Sequence, residues 1–309
     1  MNASGNGRAI VTGAFGYTGK YIAGRLLAAG VRVRTLTGHP NRGHEFGNRI
    51  EVAPLDFSDP AGLVRSLRGA DCLFNTYWVR FNYGQSTFEQ AVANTRMLFA
   101  AAKDAGVRKL VHISVTNPSL DSPLPYFRGK AQLEAALESS GLEWAILRPT
   151  VIFGREGILI NNIAWLLRRF RVFAIPGDGS YPVQPVFVEE VAELAVRAFD
   201  ESETGVRDAV GPEIFSFDEL VRLIARRIGS RARLVHLPAG AAHSLTKMLG
   251  LFVHDRILTR EEIEGLMAGL LVSSKPPTGQ TRFSDWLYAH AQSLGSSYAS
   301  EIGRHYARP

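Results

Sequence analysis

The segment VTGAFGYTGKYI, residues 11–22, decides how this chain is read. A β-branched run, RAIVT (8–12), leads into it, and a helical pattern (18–29) follows. Gly13, Gly16 and Gly19 fall three apart at the junction. Glycine costs backbone entropy and is a poor helix residue. Its triple use at a helix start implies that something comes close to the backbone there. Glycine permits φ > 0 in the turn, and the helix N-terminus offers free N–H groups and a positive dipole end to phosphates. The last glycine lets helix and strand pack closely. The spacing is GxxGxxG rather than GxGxxG, and the strand–turn–helix context predicts dinucleotide binding. The alternative is a glycine-rich turn that packs on itself.

Outward from this turn the chain alternates. Strands are expected at 8–12, 31–36, 49–55, 72–76, 109–114 and 143–148, with helices near 18–29, 59–68, 87–105 and 126–139. That rhythm predicts βαβ units, a parallel sheet and helices on both faces. Asp59-Pro60 reads as an N-cap before an N1 proline. Ser216 and Glu219 have capping-box spacing. After residue 154 the rhythm breaks. The expected division is a dinucleotide-binding domain over 1–154, a mainly substrate-binding lobe over 155–272 with some returns to the sheet, and a helical tail over 273–309. A helix at 188–200, a short strand near 206–210 and a helix at 217–228 are expected within the lobe. No internal repeat or low-complexity tract is visible.

Composition bounds the function. The chain has 309 residues, 46% hydrophobic and 21% charged, which suits a globular protein with a full core. A single cysteine, Cys72, excludes an internal disulfide and suggests a reducing, cytoplasmic setting. No signal-peptide pattern opens the chain, and no uncharged apolar run approaches ~18 residues, so no membrane span is expected. The net charge of +6 favours anionic partners without naming one. No helix-turn-helix or RNA-binding motif accompanies it, so no nucleic-acid partner is expected. The eight histidines form no HxxxH or HExxH pattern, and no metal site is expected.

These segments together resemble an extended or atypical short-chain dehydrogenase/reductase. VTGAFGYTG is similar to the superfamily's first turn. PLDFSDP resembles its acidic adenine-side motif, VHISVTNP the segment bearing its catalytic hydroxyl, and YFRGK (126–130) its YxxxK pair. LRPTVIFG (147–154) and PVFVEEVAELA (185–195) resemble later segments. The similarity spans roughly residues 8–220 and is greatest to the branch holding the NmrA-like regulators and the nucleotide-binding accessory subunit of respiratory complex I, where several members have lost catalysis.

The resemblance implies an α/β Rossmann fold, a doubly wound parallel sheet with a smaller C-terminal substrate-binding lobe. It implies cofactor contacts at Gly13, Phe15, Gly16, Tyr17 and Gly19, at Asp56 with Phe57, at Asn75, Thr76 and Tyr77, and at Lys130, Pro149 and Val151. Tyr126 and Lys130 are its catalytic pair, with Thr116 or Ser114 as the hydroxyl that binds a substrate carbonyl. On a helix, positions i and i+4 share a face. A tyrosine that must exchange a proton near neutral pH needs a neighbouring ammonium to favour its phenolate. The alternative is a surface tyrosine with a solvated lysine. Nine residues separate Thr116 from Tyr126, shorter than in typical extended members, which weighs against full epimerase chemistry. Asn94 is where the superfamily shapes a proton-relay water site, and an ordinary polar residue on the helix surface is the equal alternative. Arg168, Arg169 and Arg171 are read as a solvated face, with an acidic substrate as the alternative.

The leading function is an NAD(P)-dependent oxidoreductase, or an epimerase- or dehydratase-like enzyme using hydride transfer. The competing one is a non-catalytic dinucleotide-binding sensor or accessory subunit. The partner is a small, potentially anionic substrate, and a homodimer is compatible with the resemblance. The stretch TLTGHPNRG (35–43) has no acid to accept from a ribose 2′-hydroxyl. NADP(H) is therefore expected over NAD(H), with Arg34 or Arg42 at the 2′-phosphate and His39 nearby.

Overall fold

The computed structural model describes residues 7–305 apart from 42, 202 and 203. The chain forms two compact units. The first holds β1 (Arg8–Thr12), α1 (Tyr17–Ala28), β2 (Arg32–Thr37), β3 (Ile50–Pro54), α2 (Pro60–Leu67), β4 (Cys72–Asn75), α3 (Phe88–Asp104), β5 (Lys109–Ile113), α4 (Pro125–Glu138) and β6 (Glu143–Pro149). The chain then enters the second unit with β7 (Val151–Phe153), α5 (Ile158–Arg169), β8 (Val172–Pro176), β9 (Pro182–Val183) and β10 (Pro185–Phe187). It returns to the first unit for α6 (Val188–Asp200) and most of β11 (Gly205–Ala209). The second unit is completed by β12 (Phe215–Ser216), α7 (Phe217–Arg227), β13 (Arg233–Leu237), α8 (Ala239–Val253), α9 (Arg260–Met267), α10 (Phe283–His290) and α11 (Glu301–His305).

The first unit is a doubly wound sheet of seven strands in the order β11-β6-β5-β4-β1-β2-β3, parallel from β6 through β3. The order reverses at β1, which lies between β2 and β4. This switch point puts the end of β1 where α/β sheets bind ligands. Alternation along the strands sorts the core. In β4, Leu73 joins Leu63, Leu98, Leu110 and Leu133 beneath α2, α3 and α4. Its neighbour Phe74 meets Phe199 of α6 on the opposite face, where α6 packs beside α1. The Asp59 side chain caps α2 by accepting from the Gly62 N–H at 2.8 Å, with Pro60 opening the helix.

The second unit carries three two-stranded ladders, β10-β7, β12-β9 and β13-β8. Its core gathers Phe153, Ile163, Leu220, Phe283, Trp286 and Leu287. The segment after residue 273 therefore contributes core side chains to this unit. Ser216 and Glu219 form the expected capping box, and Thr259 with Glu262 forms another. Arg168 is exposed, as a solvated face requires, yet its guanidinium is also tied down. Its guanidinium donates to the carbonyls of Ala291 (2.7 Å) and Leu294 (2.9 Å), just beyond α10.

Candidate active site

The glycine turn is a built cradle. Gly13 has φ +66°, a left-handed conformation suited to glycine. The Gly13 carbonyl accepts from the Gly16 N–H at 2.8 Å. A Cβ on Gly19 would lie 2.3 Å from that carbonyl oxygen, and one on Gly16 would lie 3.1 Å from it. Gly19 is thus the close-packing glycine. The N-cap of α1 is Gly16, with no side-chain cap and no acid in the first turn. A helix start left bare in this way fits an anion such as a pyrophosphate.

The end of β4 is tied to the same turn. The Thr12 hydroxyl accepts from the N–H groups of Thr76 (2.8 Å) and Tyr77 (3.1 Å), and donates toward Asn75 Oδ1 (3.1 Å). The Thr76 hydroxyl donates to the Thr12 carbonyl. Asn75 Nδ2 donates to His112 Nδ1 at 3.0 Å, which puts the imidazole proton on Nε2. His112 is fully buried, and burial holds it well below the usual imidazole range, with the Lys130 charge acting the same way. The structure therefore brings Asn75, Thr76 and Tyr77 to the glycine turn.

The remaining cofactor candidates divide. Phe15 stacks on His44, ring centroids 3.9 Å apart. Tyr17 meets Tyr21 edge-on. Asp56 is exposed, and hydrogen bonds from the Ser58 hydroxyl and N–H hold its carboxyl below the usual range. Phe57 packs against Tyr77 at 5.2 Å. The Pro149 carbonyl accepts from the Thr116 N–H at 3.0 Å, while the Val151 N–H, in the second unit, donates to Gln184 at 3.3 Å. His39 is half-buried just past β2. Arg42 lies outside the described residues. Arg34 is engaged elsewhere: it pairs with Glu51 at 2.8 Å and donates to the Ser66 carbonyl at 2.6 Å. Asn94 is buried beside Tyr77. Its amide donates to the Tyr77 hydroxyl (3.0 Å) and accepts from Gln90 (2.8 Å).

Tyr126 and Lys130 lie in the first turns of α4, one turn apart. The Tyr126 ring is half-buried and meets Trp78 and Phe88 edge-on. Lys130 is 3% exposed. Its ammonium donates to the Ile113 carbonyl at 2.8 Å and sits 4.6 Å from the centroid of Trp78. A Cβ on Gly129 would lie 2.9 Å from Trp78 Cη2, so glycine there makes room for the indole. Burial pushes the Lys130 amine down to about 7, against the opposing pull of Glu134.

The two hydroxyl candidates have different surroundings. Ser114 donates to the buried carboxylate of Glu134. Glu134 also accepts a two-pronged interaction from Arg148, with Arg148 Nε at 3.0 Å from Oε1. The Thr116 hydroxyl is fully buried and has no partner among the described residues. Glu134 and Trp78 were not singled out from the sequence. Glu134 follows Lys130 by four residues, so its place on that helix face was available from spacing. Trp78 had no such signal.

A sequence model of a family described as NAD(P)H-binding matches residues 13–158. The chain is 30% identical over 300 residues to (4-alkanoyl-5-oxo-2,5-dihydrofuran-3-yl)methyl phosphate reductase of Streptomyces griseus, covering 92% of this chain and 98% of that one. It is 25% identical to NADH dehydrogenase [ubiquinone] 1 alpha subcomplex subunit 9, mitochondrial, of Arabidopsis thaliana, covering 86% of this chain and 71% of that one. Its fold matches Citrobacter sp. triphenylmethane reductase complexed with NADP(H), with a TM-score of 0.74 and 17% identity over 92% of this chain and 99% of the other. The chain belongs to the NAD(P)H-binding, atypical short-chain dehydrogenase/reductase superfamily. No helix among the described residues is long and apolar enough to cross a membrane.

Proposed function

We propose that this protein is an NAD(P)H-dependent reductase of a small carbonyl-bearing substrate. The observation that carries the reading is the Thr116 hydroxyl, buried and without a partner at the exit of β5. An unsatisfied buried hydroxyl costs roughly 1–3 kcal/mol, and a ligand oxygen would relieve that cost. When bound, the dinucleotide supplies the hydride. The chain's own residues supply the rest. Thr116 Oγ1 donates to the substrate oxygen, and Tyr126 Oη delivers the proton to it. The Lys130 charge, one helical turn away, favours the phenolate. Ser114, held by Glu134, keeps the β5 exit in place.

The Streptomyces relative suggests an unsaturated lactone carrying a phosphate as the first substrate to test. NADP(H) is preferred in this reading because the loop after β2 carries no acid before Glu45, and Glu45 pairs with Lys20 at 3.5 Å. Thr116→Val and Ser114→Ala test the assignment with such a lactone phosphate and either dinucleotide. The Thr116 variant should lose turnover at least tenfold more than the Ser114 variant. Equal losses, or tighter NADH than NADPH by calorimetry, would contradict the corresponding part.

A second reading is the accessory or redox-sensing module. It is favoured by Lys130, whose amine is held by the Ile113 carbonyl and covered by Trp78. Retained NADPH binding with no turnover across carbonyl substrates would select it.

A further inference from the structure

The N-terminal ends of β1, β2 and β3 form an arginine-lined groove, at the end of the sheet opposite the glycine turn. Arg8, Arg32, Arg34, Asn48, Arg49 and Glu51 line an open cavity of about 400 Å³. The sheet itself sets the cluster. Arg8 and Arg32 are register partners on adjacent strands, and Arg34 pairs in register with Glu51. Register partners, and residues two apart on a strand, project from the same face.

The positive charge is incompletely matched. Glu51 is the one acid lining the groove, and Arg34 already holds it. The Arg34 Nε–H is buried with no partner among the described residues. Arg49 donates to the Phe46 carbonyl and stacks near that ring. Neither Arg8 nor Arg49 forms an ion pair among the described residues. Guanidinium forks match phosphate oxygens in pairs, which sets them apart from point-charge ammonium groups.

The geometry points to a second phosphate site: this groove binds an oligophosphate, free or at the end of a nucleotide, at a place separate from the glycine turn. The site does not rest on the reductase reading.

Isothermal titration of the full chain with tripolyphosphate and with ATP, in saturating NADPH, tests it. NADPH keeps the glycine turn filled, so any remaining event reports on another site. One salt-sensitive binding event is expected, weakened at least tenfold in an Arg8→Gln/Arg49→Gln variant that keeps its NADPH affinity. Should that pair disturb folding, Arg49→Gln alone, at an exposed position, should weaken binding at least threefold. Equal affinity for both ligands assigns the free phosphate chain, and tenfold tighter ATP assigns a nucleotide. No event with NADPH bound, or unchanged affinity in the folded variants, overturns the proposal.

Discussion

Glu134 is the residue whose loss should be felt most outside the glycine turn. It is 4% exposed and holds both Ser114 and Arg148. Glu134→Ala would leave a guanidinium without its carboxylate and a buried serine hydroxyl without an acceptor. Breaking a buried pair by removing one partner costs about 3–5 kcal/mol. The Arg148 side chain is 30% exposed, so water recovers part of this, and about 3 kcal/mol is the expected loss. Urea unfolding followed by circular dichroism reads it. Arg148→Met in the alanine background should restore about half, because it removes the orphaned charge. A Glu134→Ala loss below about 1 kcal/mol, or no recovery in the double variant, would refute the reasoning.

Two further outcomes follow from the geometry. Gly16→Asp places a carboxylate at the bare start of α1, 3.1 Å from the Gly13 carbonyl at its Cβ. NADPH binding by calorimetry should then fall at least a hundredfold in a chain that still folds, and retained affinity would remove the turn from phosphate binding. Lys130 gives a pH signature. Its folded value of about 7 lies below the unfolded 10.5, so the unfolded chain binds more protons between them. Stability should therefore rise as pH goes from 7 toward 10.5 and fall as pH returns, with a ceiling of about 5 kcal/mol. The difference curve between wild type and Lys130→Met should show that slope, and a flat difference would place the amine in solvent.

The first unit was legible because its patterns are long and periodic. β1 and α6 match the expected residues, and α3 and β5 fall within a residue or so at each end. Gly19 was legible for a steric reason that the structure makes explicit: its missing Cβ is where the Gly13 carbonyl sits. The second unit was harder. β7, β9, β10 and β12 are two or three residues long, too short for alternation to register. Side-chain partners far away in sequence were not legible. Arg34 lies on the expected strand, yet Glu51 and Ser66 hold it, and Arg168 finds its carbonyls more than a hundred residues on. Nor does spacing reveal that Lys130 turns to Ile113 and Trp78. The helix face follows from period, but a side chain's partner across the fold does not.

Tyr126 is the most direct test of the reductase account. NADPH oxidation should be followed with a phosphate-bearing unsaturated lactone, or with the best carbonyl substrate from a screen, in wild type and Tyr126→Phe. The variant removes one oxygen and keeps the ring between Trp78 and Phe88. A general acid contributes roughly 10²–10⁴-fold. The account predicts at least a hundredfold loss of turnover with NADPH affinity unchanged. Turnover equal to wild type would contradict it.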